Sequence, residues 1–354
     1  RNENSRKYKM TNLLLTVLFP VFIVCMAEIN QAKKPAKFIL FVAERPSVML
    51  FNILIASLIF YGLMLLFKKG WIAAAIQSFI YMALSITELF KFNTNGNHLI
   101  MTDMKLVKSV KSLTSFAYIK ITPVLIAYVL IVLIYLGAVF WFNPKMKLKI
   151  TRRIVPALAC IGACVSVVTI PAISKPVYSL FDLDTTAADN TFKLNEKFEN
   201  NSFLAFFCQT ASENLANRLT EPENYNDDTV AAMMNVNIDD AENTSFENKK
   251  PNVIMIMSEA YADFRRFEDQ LDLNIGDTYD GFDSVADQGY KGTAIVPTYA
   301  SWTVRTEFEL NFGLPVRSLN DPNMPQRLLL DRAQPTIASY YKSWGYSTAY
   351  VHPF

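Results

Sequence analysis

Three residues in the last third of the chain have side chains suited to phosphoryl chemistry. Glu259 and His352 each come just after a short apolar run, and Thr303 lies at the predicted start of a helix. Free backbone N–H groups and the helix dipole at such a start favour a bound phosphate. In open α/β sheets, ligands gather outside the carboxyl ends of the strands. We therefore expect the three residues to lie on one rim of a sheet.

The segments around these residues alternate between strand and helix patterns. Apolar runs at 253–257, 293–296 and 347–351 predict strands, and 304–312 and 335–344 predict helices that end at Gly313 and Gly345. The continuous apolar character of 253–257 is typical of a parallel strand that is buried on both faces. This β-α-β alternation predicts a doubly wound α/β domain.

The first half of the chain has the composition of a membrane domain. Hydrophobic residues make up 51% of the sequence, and they are concentrated before residue 174. Most of the apolar stretches are long enough to cross a hydrocarbon core of roughly 30 Å as a helix. The predicted spans are 11–27, 47–67, 71–89, 121–142 and 154–173. We interpret the first as a retained helix, because no small-residue cleavage site follows it.

Lysine and arginine residues in the flanks predict the orientation of these spans. With the N-terminus inside the cell, eleven of them fall in cytoplasmic flanks and nine in the opposite loops, and the densest group precedes the fifth span. An odd number of spans then places the rest of the chain outside the cell. Glu28 and Glu88 lie at span ends, which favours interfacial residues over an intramembrane relay.

The predicted organisation has three parts. Residues 1–173 form a five-helix transmembrane domain, 174–249 a partly helical extracellular linker, and 250–354 the start of the α/β domain. The chain begins at Arg1 and ends at Phe354 directly after a predicted strand, so we expect a fragment with a truncated domain. A net charge of +2 without a basic stripe argues against nucleic acid as a partner.

Two segments resemble the lipoteichoic acid synthase family. Residues 251–259 (PNVIMIMSE) resemble the strand and Ser-Glu turn that open its extracellular domain, and 303–309 (TVRTEFE) with 313–315 (GLP) resemble its nucleophile segment. Five spans, a linker and then this domain also match the family's architecture. The resemblance implies a sulfatase-like (alkaline-phosphatase-like) fold for the extracellular part.

The resemblance also implies roles for the three residues. Glu259 is expected to be a metal ligand, Thr303 the nucleophile and a second metal ligand, and His352 a substrate contact. A threonine hydroxyl is a weak nucleophile, and a divalent cation, Mn²⁺ with Mg²⁺ or Zn²⁺ as alternatives, would lower its pKa. Phosphatidylglycerol would donate glycerophosphate to Thr303, and a glycerophosphate polymer or glycolipid acceptor would then receive it.

This chain departs from the family's pattern at two points. It has Ala300, Ser301 and Trp302 where the family commonly has glycines, and the family's remaining ligands, an Asp-His pair, would fall beyond Phe354.

Several alternatives stay open on the sequence alone. Thr306 is an alternative nucleophile. The rival functions are a phosphoethanolamine transferase, a phosphoglycerol transferase that acts on a glycan, and a non-catalytic membrane protein that binds lipid or polymer. Cys208 is the one cysteine outside the predicted spans, which argues against the disulfide-rich phosphoethanolamine transferases.

Overall fold

The structure is a computed structural model, and it divides into two compact units. The first is Arg1–Arg218 with Ala349–Phe354, and the second is Leu219–Thr348. The structure describes residues 6–32, 34–104, 121–142, 144–145, 148–188, 190–216, 226–229, 250–258, 261–296, 303–316, 325 and 334–351.

The first unit contains helices α1 to α8. They are α1 (Arg6–Ala32), α2 (Pro35–Glu44), α3 (Pro46–Phe67), α4 (Gly70–Asn95), α5 (Pro123–Phe142), α6 (Ile150–Thr169), α7 (Pro171–Leu180) and α8 (Thr191–Ala216). Five of them, α1, α3, α4, α5 and α6, are long and apolar enough to cross a membrane. This confirms the five predicted spans. The fifth span ends at Thr169 instead of residue 173, because Ile170 precedes Pro171 and adopts an extended conformation.

The loops at one end of the spanning helices contact each other. The backbone N–H of Gly70 donates to the carbonyl of Pro144 at 2.8 Å, and Lys69 and Lys145 form an isolated antiparallel bridge. The α3–α4 and α5–α6 loops therefore lie on the same side of the bundle. At this end Arg153 donates to the carbonyl of Leu65 at 2.8 Å and so satisfies a terminal carbonyl of α3. The basic residues assigned to the cytoplasmic side in these two loops thus share one end.

Helices α7 and α8 pack against the spanning helices. Phe203, Leu204 and Cys208 of α8 are buried in the same apolar core as Phe19 of α1 and Phe51 of α3. This burial removes a large apolar area from water, which is the main contribution to such packing. The first part of the segment predicted as a linker therefore belongs to the compact first unit.

The second unit contains short helices in its described residues. They are α9 (Glu268–Leu271), α10 (Asp280–Ala286), α11 (Thr303–Phe312) and α12 (Ile337–Ser343), with 3₁₀ helices at Phe264–Phe267 and Gly276–Tyr279. The predicted helices at 304–312 and 335–344 are confirmed as α11 and α12. Gly313 (φ 64°) and Gly345 (φ 81°) end them in the left-handed conformation that glycine adopts readily.

The predicted strands are not formed in the described residues. Residues 253–257, 293–296 and 347–351 are described, and none belongs to a β-ladder. A strand is stabilised by hydrogen bonds to a neighbouring strand and by cover on its apolar face, and the side chains of 253–257 are 39–84% exposed. The doubly wound sheet is therefore absent from the described part of the chain, and the membrane helices are the part of the predicted fold that the structure shows.

Candidate functional site

Thr303 is the first residue of α11, where the sequence predicted a helix start. The dipole of an α-helix places partial positive charge at its first turn, which favours a negatively charged group there. The side chain of Thr303 is partly buried. The position therefore suits a hydroxyl that acts on a phosphate, although the catalytic role itself stays a prediction.

The remainder of α11 fixes the orientation of its first turn. Phe308 is fully buried and stacks on Phe312 with ring centroids 4.5 Å apart. The carboxylate of Glu309 accepts a hydrogen bond from the backbone N–H of Val316 at 2.7 Å, which ties the following loop to the helix. Gly313 donates to the carbonyl of Glu309 at 2.9 Å. These contacts explain why an aromatic residue, an acid and a glycine follow the threonine at these spacings.

The other two predicted site residues, Glu259 and His352, lie outside the described residues. The segment 300–302, which departs from the family's pattern, also lies outside them. The structure thus places one of the three candidates, Thr303, and leaves their convergence on one rim a prediction.

No metal centre is formed by the described residues alone. Among them, no group of three or more His, Cys, Asp and Glu side chains could hold an ion. Metal binding by Glu259 and Thr303 therefore stays a prediction from the resemblance, and the described residues add no further ligand.

A buried carboxylate in the membrane unit was not recognised in the sequence as a structural site. Glu28 of α1 is only 5% exposed, and its carboxylate accepts hydrogen bonds from the Asn52 amide at 3.2 Å, the Ser202 hydroxyl and the Phe203 backbone N–H at 3.4 Å. Ser202 interrupts α8 with φ 61° and ψ 177°. Glu28 therefore caps the second part of α8 and is not exposed at an interface.

A second buried carboxylate pairs with one of the two histidines of the chain. Glu88 is 1% exposed, and its Oε1 lies 2.5 Å from Nδ1 of His98, while Leu99 N–H donates to Oε2. The His98 ring stacks between Phe92 and Phe198, at centroid distances of 4.5 and 3.5 Å. Phe198 belongs to α8, so this pair also holds α8 against the bundle.

A third polar group lies within α8 and the loop before it. Nζ of Lys197, which is 1% exposed, donates to Oε1 of Glu213 at 2.6 Å and to the carbonyl of Thr186 at 2.7 Å. Desolvation raises the pKa of Glu213, and Lys197 opposes this effect. For Asp184, desolvation would raise the pKa of the carboxyl, but hydrogen bonds from Thr186 and Asn200 together outweigh it and lower the pKa.

A cavity of about 330 Å³ lies between α7 and α8, next to this group. Its polar wall includes Ser174, Lys175, Ser179, Gln209, Ser212 and Glu213. The sequence alone does not predict this cavity, because its wall is formed by two different helices, α7 and α8.

The chain was compared with known proteins at three levels. No protein-family model, no curated protein and no solved structure matches it.

Proposed function

We propose that this chain carries the membrane part and the nucleophile segment of a metal-dependent phosphoglycerol transferase. The observation that carries the proposal is the position of Thr303 at the N-terminus of α11, followed by the buried Phe308 and the helix-ending Gly313. These residues belong to the segment 303–315 that resembles the nucleophile segment of lipoteichoic acid synthases. The proposal includes a sulfatase-like α/β fold for the unit that contains it.

The proposed reaction has two transfers. The hydroxyl oxygen of Thr303 attacks the phosphorus of phosphatidylglycerol, a new P–O bond forms, and diacylglycerol leaves with the proton. The terminal hydroxyl of a glycerophosphate polymer or glycolipid then attacks the phosphothreonine-type intermediate and restores Thr303. A divalent cation held by Glu259 and Thr303, Mn²⁺ in our proposal, would supply charge neutralisation for both steps. The positive end of the α11 dipole would favour the negative charge of the phosphate.

We further propose that the protein is a multi-pass protein of the cell membrane with this chemistry outside the cell. Five spanning helices support the membrane location. The shared end of the α3–α4 and α5–α6 loops, which carries Lys68, Lys69 and Lys145, supports a cytoplasmic side opposite the end from which α7 leaves the bundle.

Turnover of phosphatidylglycerol tests the proposal. The complete gene product, reconstituted in vesicles with Mn²⁺, should release diacylglycerol, and Thr303→Ala should lower the rate by at least about a thousand-fold, as expected for loss of a covalent nucleophile. Thr306→Ala is the matched control, one helical turn further along α11. Loss of activity in Thr306→Ala with retention in Thr303→Ala would move the nucleophile, and absence of turnover in all forms would favour a non-catalytic binding protein.

A further inference from the structure

Glu28 carries a charge that no cation among the described residues balances. It is buried where α1 meets α3 and α8, and its hydrogen-bond partners are neutral donors, the Asn52 amide, the Ser202 hydroxyl and the Phe203 backbone N–H. None of the ion pairs among the described residues includes Glu28. Neutral donors stabilise a buried anion but do not cancel its charge, and such a charge is costly inside a membrane bundle.

Basic side chains at the end of the bundle where α8 packs have acid partners of their own. The pairs are Arg45–Asp182, Lys91–Asp103, His98–Glu88 and Lys197–Glu213. Asp184 also interacts with Lys197, which adds negative charge to this region and not positive charge. Arg153 lies at the other end of α3, and Lys175 is exposed to water, which screens its charge. The charge of Glu28 is therefore left without a counterion.

Two buried amide oxygens without a partner lie on the same side of α3. Asn52 donates to Glu28 through its side-chain amide, but its side-chain carbonyl oxygen accepts no hydrogen bond from the described residues. Gln77 of α4 donates to the backbone carbonyl of Ala56, one turn after Asn52, at 2.9 Å. The side-chain carbonyl oxygen of Gln77 also lacks a donor among the described residues. Both side chains are fully buried, so bulk water does not reach these oxygens.

Two tyrosine hydroxyls, from α4 and α5, complete the group. Tyr81 and Tyr128 are almost fully buried, and both interact electrostatically with Glu28. Tyr81 lies beside Gln77 and Tyr128 beside Ser85, yet neither hydroxyl completes a hydrogen bond with the described residues. Buried polar atoms without a partner are uncommon in native proteins, and they often mark a bound water or ion.

From this arrangement we propose that the membrane bundle binds a monovalent cation, Na⁺, at the Glu28 cluster, which consists of Glu28, Asn52, Gln77, Tyr81 and Tyr128. Carboxylate, amide and hydroxyl oxygens are hard ligands that suit such ions, and the single negative charge of the cluster matches one positive charge. A proton on Glu28 would remove the charge but leave both amide oxygens without a partner. Water alone would satisfy those oxygens but leave the charge. A cation does both.

The cluster joins several helices, so a bound ion stabilises their packing. Its members come from α1, α3, α4 and α5, and Glu28 also caps the second part of α8. A ligand that binds the folded chain and not the unfolded chain raises stability in proportion to the logarithm of its concentration, once it exceeds the dissociation constant. Na⁺ is therefore expected to stabilise the bundle independently of any activity at Thr303.

Binding of radioactive sodium tests the site directly. The full chain is purified in detergent micelles with choline as the only other cation, and bound sodium is measured by scintillation proximity. We expect saturable binding that unlabelled Na⁺ displaces and choline does not. Glu28→Gln keeps the size of the side chain but removes its charge, and it should abolish binding. The control, Glu44→Gln, removes an exposed acid from α2 and should leave binding unchanged.

Tyr128→Phe separates the loss of a ligand from the loss of the fold. Its hydroxyl forms no hydrogen bond with the described residues, so the melting temperature in choline chloride should change little. In sodium chloride, the Na⁺ concentration that gives half of the stabilisation should rise roughly ten-fold, as for the loss of one ligand of about 1.4 kcal/mol. Tyr61→Phe makes the same change on α3 outside the Glu28 cluster and should leave this concentration unchanged.

Four results would overturn the assignment. Absence of saturable sodium binding by the unchanged chain would leave Glu28 protonated or hydrated, and equal binding by Glu28→Gln would place the ion elsewhere. Equal stabilisation by sodium chloride and choline chloride would reduce the effect to ionic strength. If Glu28→Gln does not fold, Tyr128→Phe decides, because an unchanged Na⁺ dependence in that variant would also refute the site.

Discussion

The carboxylate of Glu28, in the first spanning helix, accepts a hydrogen bond from the hydroxyl of Ser202, the residue at which α8 is interrupted. The same carboxylate accepts a hydrogen bond from the backbone N–H of Phe203. One acid therefore joins the N-terminal span to the start of a helical segment that lies more than 170 residues later in the sequence. Its position sets where α8 packs on the membrane helices.

Replacement of Glu28 should weaken this packing. Glu28→Ala leaves the Asn52 amide, the Ser202 hydroxyl and the Phe203 N–H without their acceptor, which typically costs about 1–3 kcal/mol for each buried group that stays unsatisfied. We expect a lower melting temperature in detergent micelles. Glu44→Ala, which removes an exposed acid from α2, is the control. Equal melting temperatures for the two variants would show that the cap contributes nothing.

Substitutions at Ser202 should separate backbone strain from the side-chain hydrogen bond. Its backbone (φ 61°, ψ 177°) lies in a region that only glycine adopts readily, at a cost of about 1–3 kcal/mol for other residues. Ser202→Gly loses the bond to Glu28 but releases this strain, whereas Ser202→Ala loses the bond and keeps the strain. Thermal denaturation should therefore rank Ser202→Ala below Ser202→Gly. The reverse order would mean that this conformation is not kept in solution.

The Lys197–Glu213 pair should behave as a coupled unit. Lys197→Met leaves the Glu213 carboxylate, whose side chain is 36% exposed, without its cation, so we expect a loss below the value of about 3–5 kcal/mol that is typical when one partner of a fully buried pair is removed. Adding Glu213→Gln should recover part of that loss, because the remaining partner is then neutral. A double-mutant cycle on unfolding free energies measures the coupling. Strict additivity of the two single changes would show that the pair is not formed.

The lowered pKa of Asp184 predicts acid sensitivity of the loop before α8. A carboxyl whose pKa is lowered on folding contributes stability above its ordinary value of 3.8, and this contribution is lost as the pH falls below that value. Asp184→Asn should therefore reduce the dependence of stability on pH in the acid range and change it little near neutrality. Melting temperatures measured from about pH 3 to pH 7 test this. Identical acid profiles for both proteins would refute the role of Asp184.

The membrane helices could be predicted from the sequence because a long apolar stretch needs no partner to be recognised. Each of the five predicted spans overlaps one observed helix. The predicted and observed ends differ where a proline or a polar extension sets the end of the helix, as at Ile170 and Pro171. Helix α11 was predicted with nearly its observed limits, since a threonine start and a glycine stop are local signals.

Other features depend on contacts between distant residues, which a single sequence does not reveal. Glu28 and Glu88 lie at span ends, and the sequence therefore predicted interfacial residues. They are buried because α8 and the loop at 96–100 pack against them. The strand predicted at 253–257 has the right composition, yet a strand exists only with a hydrogen-bonded neighbour, and the described residues supply none. Of the candidate site, Thr303 could be placed, whereas Glu259 and His352 stay predictions.

Direct detection of the covalent intermediate tests the central claim, which is the role of the hydroxyl at position 303. The complete gene product is incubated with phosphatidylglycerol and Mn²⁺, quenched with acid, digested, and the peptide that contains Thr303 and Thr306 is sequenced by mass spectrometry. The account predicts a glycerophosphate adduct on Thr303, absent from Thr303→Ala and retained in Thr306→Ala. An adduct on another residue, or turnover of the lipid without any adduct on this peptide, would contradict it.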